Sequence, residues 1–273
     1  MGLGWVANGP GRASVWGGLR EVWAYREVVW FLALRDVKVR YKQAAFGVAW
    51  AVFQPLAGVA VFTVLLHHLA GVETSGVPYV LFTYVGMSAW SFLSQAVTES
   101  TESLVRNAAL VTKVYFPRIA APLAAILACL LDLAIALVVL VGLLIVYQEA
   151  PGARLLLLPL CVLALIAAAL GVGMWLAALN VQYRDVRYVI ALFVQLWLLV
   201  SPVAYPLELV PLSWRWLYAL NPAVAPLELF RWSVLDLPLD LQPVGLSLAV
   251  TGLLLLGGLV YFQRTERTFA DVI

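Results

Sequence analysis

Six stretches of this chain stay apolar for about the 20 residues that a helix needs to cross the hydrocarbon core of a bilayer. They cover residues 46–69, 78–96, 121–147, 155–179, 188–204 and 244–262. No strand-like alternation runs through them, and an isolated strand would leave its backbone N–H and C=O groups unpaired in lipid. The expected fold is therefore all-α: a polytopic membrane protein with six transmembrane helices. Composition agrees, since 64% of the 273 residues are hydrophobic and only 12% are charged, against about 25% charged in a soluble domain. Too few polar groups remain to cover a water-facing surface. Cys129 and Cys161 both lie inside apolar runs and read as small hydrophobes, not as a disulfide or a metal site.

The basic residues orient the spans. With a cytoplasmic N-terminus, only Arg154, Arg215 and Arg231 of the 17 Lys and Arg fall on the outer side. That asymmetry obeys the positive-inside rule and places both termini in the cytoplasm. The first 15 residues show no compact apolar core with a cleavage site, so no removable signal peptide is expected. Three regions divide the chain: an N-terminal segment 1–45, a transmembrane domain 46–262 and a cytoplasmic tail 263–273. Residues 20–45 mix basic residues with Trp23, Tyr25, Trp30 and Tyr41, which suits an N-terminal helix at the cytoplasmic membrane interface, although its apolar spacing is not cleanly helical. Residues 97–120 form a cytoplasmic segment, acidic first (Glu99, Glu102) and basic later (Arg106, Lys113, Arg118), an order that suits a helix macrodipole. Residues 205–243 hold many prolines yet remain apolar, and are expected to form short re-entrant helices in the outer leaflet.

Much chemistry is absent from the sequence. No GxxxxGK[ST] loop exists, so no nucleotide site of that type is expected on this chain, and no HExxH, CxxC or GxSxG arrangement appears. No catalytic residue and no metal site is assigned. His67 and His68 are adjacent, so they do not share a helix face. A net charge of +2 gives no reason to expect a nucleic-acid partner. Asp132 is the sole acid deep inside an apolar stretch. Such a carboxylate is a functional candidate by default, but without an intramembrane base it reads as a structural group bonded to a neighbouring helix, or protonated.

Aromatic and polar residues are unevenly spread. The third, fourth and sixth stretches are Leu, Ala, Val, Ile and Gly with aromatics at their ends, whereas the first, second and fifth carry such groups at depth. Phe46, Trp50, Phe53 and Gln54 share a face of the first. Tyr84, Ser88, Ser91 and Gln95 form a polar stripe on the second, beside a stripe of Tyr79, Phe82, Gly86 and Trp90. Gln195 and Trp197 sit in the middle of the fifth. Polar side chains are costly in lipid and should face protein or a watery cavity. The alternatives are plain helix packing and a cavity wall suited to sugar rings, with their apolar faces and hydroxyl edges.

Four runs resemble a known family. LALRDVKVRYKQAAFGVAWAVFQPL at 32–56, VRNAALVTKVYFPR at 105–118, NVQYRDVRYVIALFVQLWLLVSPVAYP at 180–206 and NPAVAPLELFRWSVL at 221–235 are similar to permease subunits of ABC polysaccharide exporters of the Wzm and TagG type, which serve O-antigen and teichoic acid. The resemblance implies a homodimer of permeases with two separate ABC ATPase subunits, which bind the ATP and Mg, in a bacterial inner membrane. It implies a lipid-linked polysaccharide as the passenger. With it, the uneven placement of aromatic and polar groups makes Trp50, Phe53, Tyr84, Trp90, Ser91, Gln95, Gln195 and Trp197 the expected transport pathway, formed by the first, second and fifth spans. Leu104, Arg106, Asn107, Leu110, Val111, Lys113, Tyr115 and Phe116 become the ATPase-coupling segment. Trp214, Trp216, Asn221, Pro222, Arg231 and Trp232 become the outer gate. The alternatives are an ABC permease for a drug or small lipid and a membrane enzyme acting on lipid-linked sugars. The enzyme would need clustered carboxylates, whereas the outer acids are scattered.

Overall fold

A computed structural model describes residues 15–42, 47–74, 76–113, 116–183 and 185–272. These residues are almost entirely helical, and no strand occurs among them. Two helices precede the first span: α1 (Val15–Ala24) and α2 (Arg26–Lys42). The first span is α3 (Gly47–Phe62), which widens into π-helical turns over Thr63–Leu69. Its internal Pro55 is buried and sits where one backbone hydrogen bond must be missing. Gly71 and Gly76 then take positive φ (66° and 80°) to reverse the chain.

Helix α4 (Tyr79–Arg106) runs ten residues past the apolar stretch that announced it. Nothing breaks it there, and its hydroxyls are absorbed by the helix itself. Thr98 donates to the Ser94 carbonyl (2.8 Å), Thr101 to Val97 (2.7 Å) and Ser103 to Ser100 (2.6 Å). Asn107 ends the helix and returns its amide to the Ser103 carbonyl at 2.8 Å. After a turn come the short α5 (Ala108–Lys113) and then α6 (Ala120–Tyr147), α7 (Leu158–Gln182) and α8 (Val186–Leu199). The expected re-entrant segment holds α9 (Leu212–Tyr218) and α10 (Val224–Leu235), and α11 (Leu241–Val272) follows with no break at residue 262.

Five of these helices are long and apolar enough to cross a membrane. The fifth expected span is the exception. Residues 188–204 were expected to cross as one helix, but α8 stops at Leu199 after 14 residues, about 21 Å of rise against a core of about 30 Å. Pro202 and Pro206 explain the stop, because the residue before a proline is pushed out of helical geometry, and residues 201–205 bend instead.

Helix α4 is the axis of the fold. Of its most apolar window 83% is buried, against 11% for α3 and 28% for α6, α7 and α11. The helices α3, α6, α7, α8 and α10 all pack on it, α11 packs on α7 and α2 on α6. Small residues bring α7 and α11 together: Gly171 lies against Leu254, while Trp175 crosses above Gly257 and Gly258 and stacks on Tyr261 at 4.7 Å.

Candidate functional site

The polar stripe of α4 faces a cavity of about 330 Å³ enclosed by α2, α3, α4 and α6. Ser88, Ser91 and Gln95 come from α4, Trp50 and Gln54 from α3, Asp132 from α6, and Arg40 and Tyr41 from α2. Helical spacing explains the α4 contribution, since positions 88, 91 and 95 fall on one face. Ser88 donates to the Tyr84 carbonyl (2.8 Å). Among the described residues, Gln54, Ser91 and Gln95 have no side-chain hydrogen bond, so their amides and hydroxyl are free to meet whatever fills the space.

A chain of charges forms the rim. Arg40 donates to Asp132 at 2.5 Å and pairs with Glu99 at 3.2 Å. Tyr41 donates to the other Asp132 oxygen. Glu99 also binds Arg106, whose guanidinium lies 3.5 Å from Asp36. Arg35 joins Asp36 (2.7 Å) to Asn107 (2.6 Å) at the end of α4. The series thus runs from the turn before α5 to the cavity wall. Burial, with the Asp132 carboxylate beside it, holds the Tyr41 phenol above its ordinary range, so Tyr41 acts as a donor. This network accounts for α2. The helix lacks a clean apolar stripe because it docks through ionic groups as well as through Val29, Leu32 and Ala33. Sequence reasoning did not connect these residues. The lone Asp132 read as a carboxylate bonded to a neighbouring helix, or protonated, and the partner sat in a segment assigned to the membrane surface.

The other sequence-derived candidates fall into separate environments. Trp50 and Phe53 lie side by side on α3 with ring centroids 5.7 Å apart, 61% and 58% exposed. Tyr84 and Trp90 are buried: Tyr84 donates to the Ala136 carbonyl (3.0 Å), and Trp90 meets Trp197 of α8 edge-on at 5.4 Å. Gln195 is exposed on α8. In the segment expected to couple to the ATPase, Leu104 and Phe116 are buried in one cluster that Leu110 packs against, Arg106 is exposed and Asn107 is buried. Val111 and Lys113 lie in α5, and Tyr115 falls outside the described residues.

Between α8 and α11, Asn221 is a junction. It accepts from Trp197 (2.7 Å) and from the Ala223 N–H (2.9 Å), and donates to the Val200 carbonyl and the Ser201 hydroxyl (both 2.9 Å). The Pro222 carbonyl accepts from Thr251 of α11 (3.3 Å). Arg231, 1% exposed, pairs with Glu228 (2.8 Å), donates to the Val203 carbonyl (2.5 Å) and lies 4.0 Å above the Phe82 ring. Burial pushes the Glu228 carboxyl up and the Arg231 guanidinium down, each opposed by the other's charge. Trp232 stacks beneath Arg154 (5.3 Å), while Trp214 and Trp216 are exposed. Among the described residues, no group of three His, Cys, Asp or Glu is placed to hold a metal.

Known proteins share this arrangement of sequence. The chain is 27% identical over 259 residues to the O-antigen export system permease protein RfbA of Myxococcus xanthus, covering 93% of this chain and 98% of that one. It is 25% identical over 241 residues to a protein of the same description from Klebsiella pneumoniae, covering 88% and 92%. The profile of the ABC-2 type transporter family matches residues 27–235, a stretch that takes in α2, the cavity, the charged rim and the Arg231 site. This chain belongs to the ABC-2 type transporter family.

Proposed function

We propose that this chain is the membrane-spanning subunit of an ABC exporter that carries a lipid-linked polysaccharide, an O-antigen or similar glycan, from the cytoplasmic side across the bacterial inner membrane. The observation that carries the reading is the polar cavity with its aromatic lip, in a permease whose relatives over nearly their full length are named for O-antigen export. Free amides and hydroxyls beside an indole suit sugars better than they suit an apolar drug.

In this reading the protein works as a homodimer with two ABC ATPase subunits that bind ATP and Mg. Helices α3 and α8 support the pairing, because they are thinly covered by the rest of the chain and present Trp50, Phe53, Tyr188, Leu192 and Leu196 outward. They line the passage between the two copies, and α4 adjoins it only through the cavity face that carries Ser91 and Gln95. Helix α8 with the bent residues 200–205 completes a sixth crossing and leaves both termini cytoplasmic. The ATPase docks at the cytoplasmic end of α4 and at α5, and the outer segment with α9 and α10 forms the exit.

Deletion and complementation test this function. A strain lacking the chain is expected to accumulate lipid-linked glycan inside and to lose surface glycan, and re-expression should restore it only when the partner ATPase is active. Unchanged surface glycan in the deletion strain would refute the assignment.

A further inference from the structure

The cavity between α2, α3, α4 and α6 allows a narrower assignment, which rests on the glycan-export reading above. Its rim is electrically balanced. Three guanidinium groups, of Arg35, Arg40 and Arg106, meet three carboxylates, of Asp36, Glu99 and Asp132, and each of the six is paired with an opposite charge. Of these only Arg40 and Asp132 reach the lining, and they are bonded to each other at 2.5 Å. A phosphate entering here would have to draw Arg40 away from Glu99 and Asp132 while approaching the negative charge of Asp132 itself. Charge therefore gives an anion no advantage in this cavity.

The uncharged groups point the other way. Gln54, Ser91 and Gln95, from two helices, line the same space with no partner among the described residues. Asp132 keeps acceptor capacity beyond its bonds to Arg40 and Tyr41. The Trp50 side chain supplies an aromatic wall. Neutral donors and acceptors beside one indole complement a pyranose, with its ring of hydroxyls and its apolar C–H face. The volume of about 330 Å³ lies at the small end of ligand cavities, roughly 300–1,000 Å³, which suits a sugar unit or two and not an extended chain. We propose that the cavity is a saccharide subsite within each protomer, taking an uncharged pyranose unit of the passenger and not the phosphate of its lipid carrier.

Saturation-transfer NMR on the full chain in lipid nanodiscs tests this, with neutral trisaccharides (mannotriose, maltotriose and chitotriose) as probes and farnesyl diphosphate as competitor. At least one trisaccharide is expected to receive saturation. Gln54→Leu combined with Ser91→Ala should cut that transfer at least threefold, and equimolar farnesyl diphosphate should leave it unchanged. Gln54 is exposed and Ser91 half-buried, so neither change opens the core, and an unaltered size-exclusion profile checks that. Absence of transfer from every probe, transfer indifferent to the double variant, or displacement by farnesyl diphosphate would each overturn the subsite. Surface glycan is scored separately in cells. Normal export without transfer sinks the subsite alone, whereas transfer that persists in a protein whose deletion spares surface glycan sinks the transport reading.

Discussion

Asp132 stands among apolar neighbours in α6, and its two partners lie 92 and 91 residues earlier in the chain. The carboxylate is partly screened at the cavity rim, and Arg40 retains Glu99 as a second partner. Replacement by Ala should therefore cost about 1–3 kcal/mol, the scale of a charged hydrogen bond, and not the 3–5 kcal/mol of a fully buried broken pair. Thermal unfolding in nanodiscs measures that loss. Pairing Asp132→Leu with Arg40→Met should recover part of it, because two apolar groups leave no stranded charge. The presence of an acid in the span was legible in the sequence. Its meaning was not, since a lone carboxylate does not say which distant residue answers it, and the basic run holding Arg40 also fits a helix lying on headgroups.

At the scale of elements, burial separates side chains that look alike in sequence. Trp50 and Phe53 are exposed on α3, so their replacement by Ala should change stability by less than about 0.5 kcal/mol while reducing export measured as surface glycan. Tyr84 and Trp90 are core residues of α4, and truncating either should cost about 3–5 kcal/mol, read as a fall in melting temperature. A second element-level contact joins α4 to the segment between α8 and α11. A Cβ on Gly86 would stand 2.1 Å from the Val203 carbonyl oxygen and 2.5 Å from the Arg231 guanidinium. The backbone carbonyl cannot swing aside as a side chain can, so Gly86→Ala should destabilise by about 1–3 kcal/mol and raise the protease sensitivity of residues 200–210. Periodicity had already put Phe82, Gly86 and Trp90 on one stripe of α4. It did not disclose that the stripe receives Arg231, which lay among residues assigned to a separate outer segment.

Across the whole molecule, one buried helix is wrapped by less buried ones, and α3 and α8 are among the least covered of them. The spans were legible because long apolar runs have few other uses. The shortness of α8 was not, because residues 200–204 are as apolar as the helix they follow and only Pro202 and Pro206 mark the break. Topology can be tested directly, since Cys129 and Cys161 are both buried and give little background to thiol reagents. Single cysteines at Arg26 and Arg264 are expected to resist a membrane-impermeant maleimide in intact cells and to react after permeabilisation. Labelling of either from outside would reverse the proposed orientation of the termini.

The bond between Arg40 and Asp132 also sets an order of events during synthesis. The chain is made N-terminus first, so Arg40 is synthesised 92 residues before its carboxylate partner exists. At about 5–20 residues per second, Arg40 and Tyr41 wait roughly 5–20 s for Asp132 to be made, and longer for α6 to enter the bilayer. During that interval α2 has its ionic partners at the end of α4 but lacks its main seat on α6, and an insertase or the lipid surface must help to hold it. A nascent chain stalled before residue 132 should leave α2 open to protease, and one stalled after α6 has inserted should protect it.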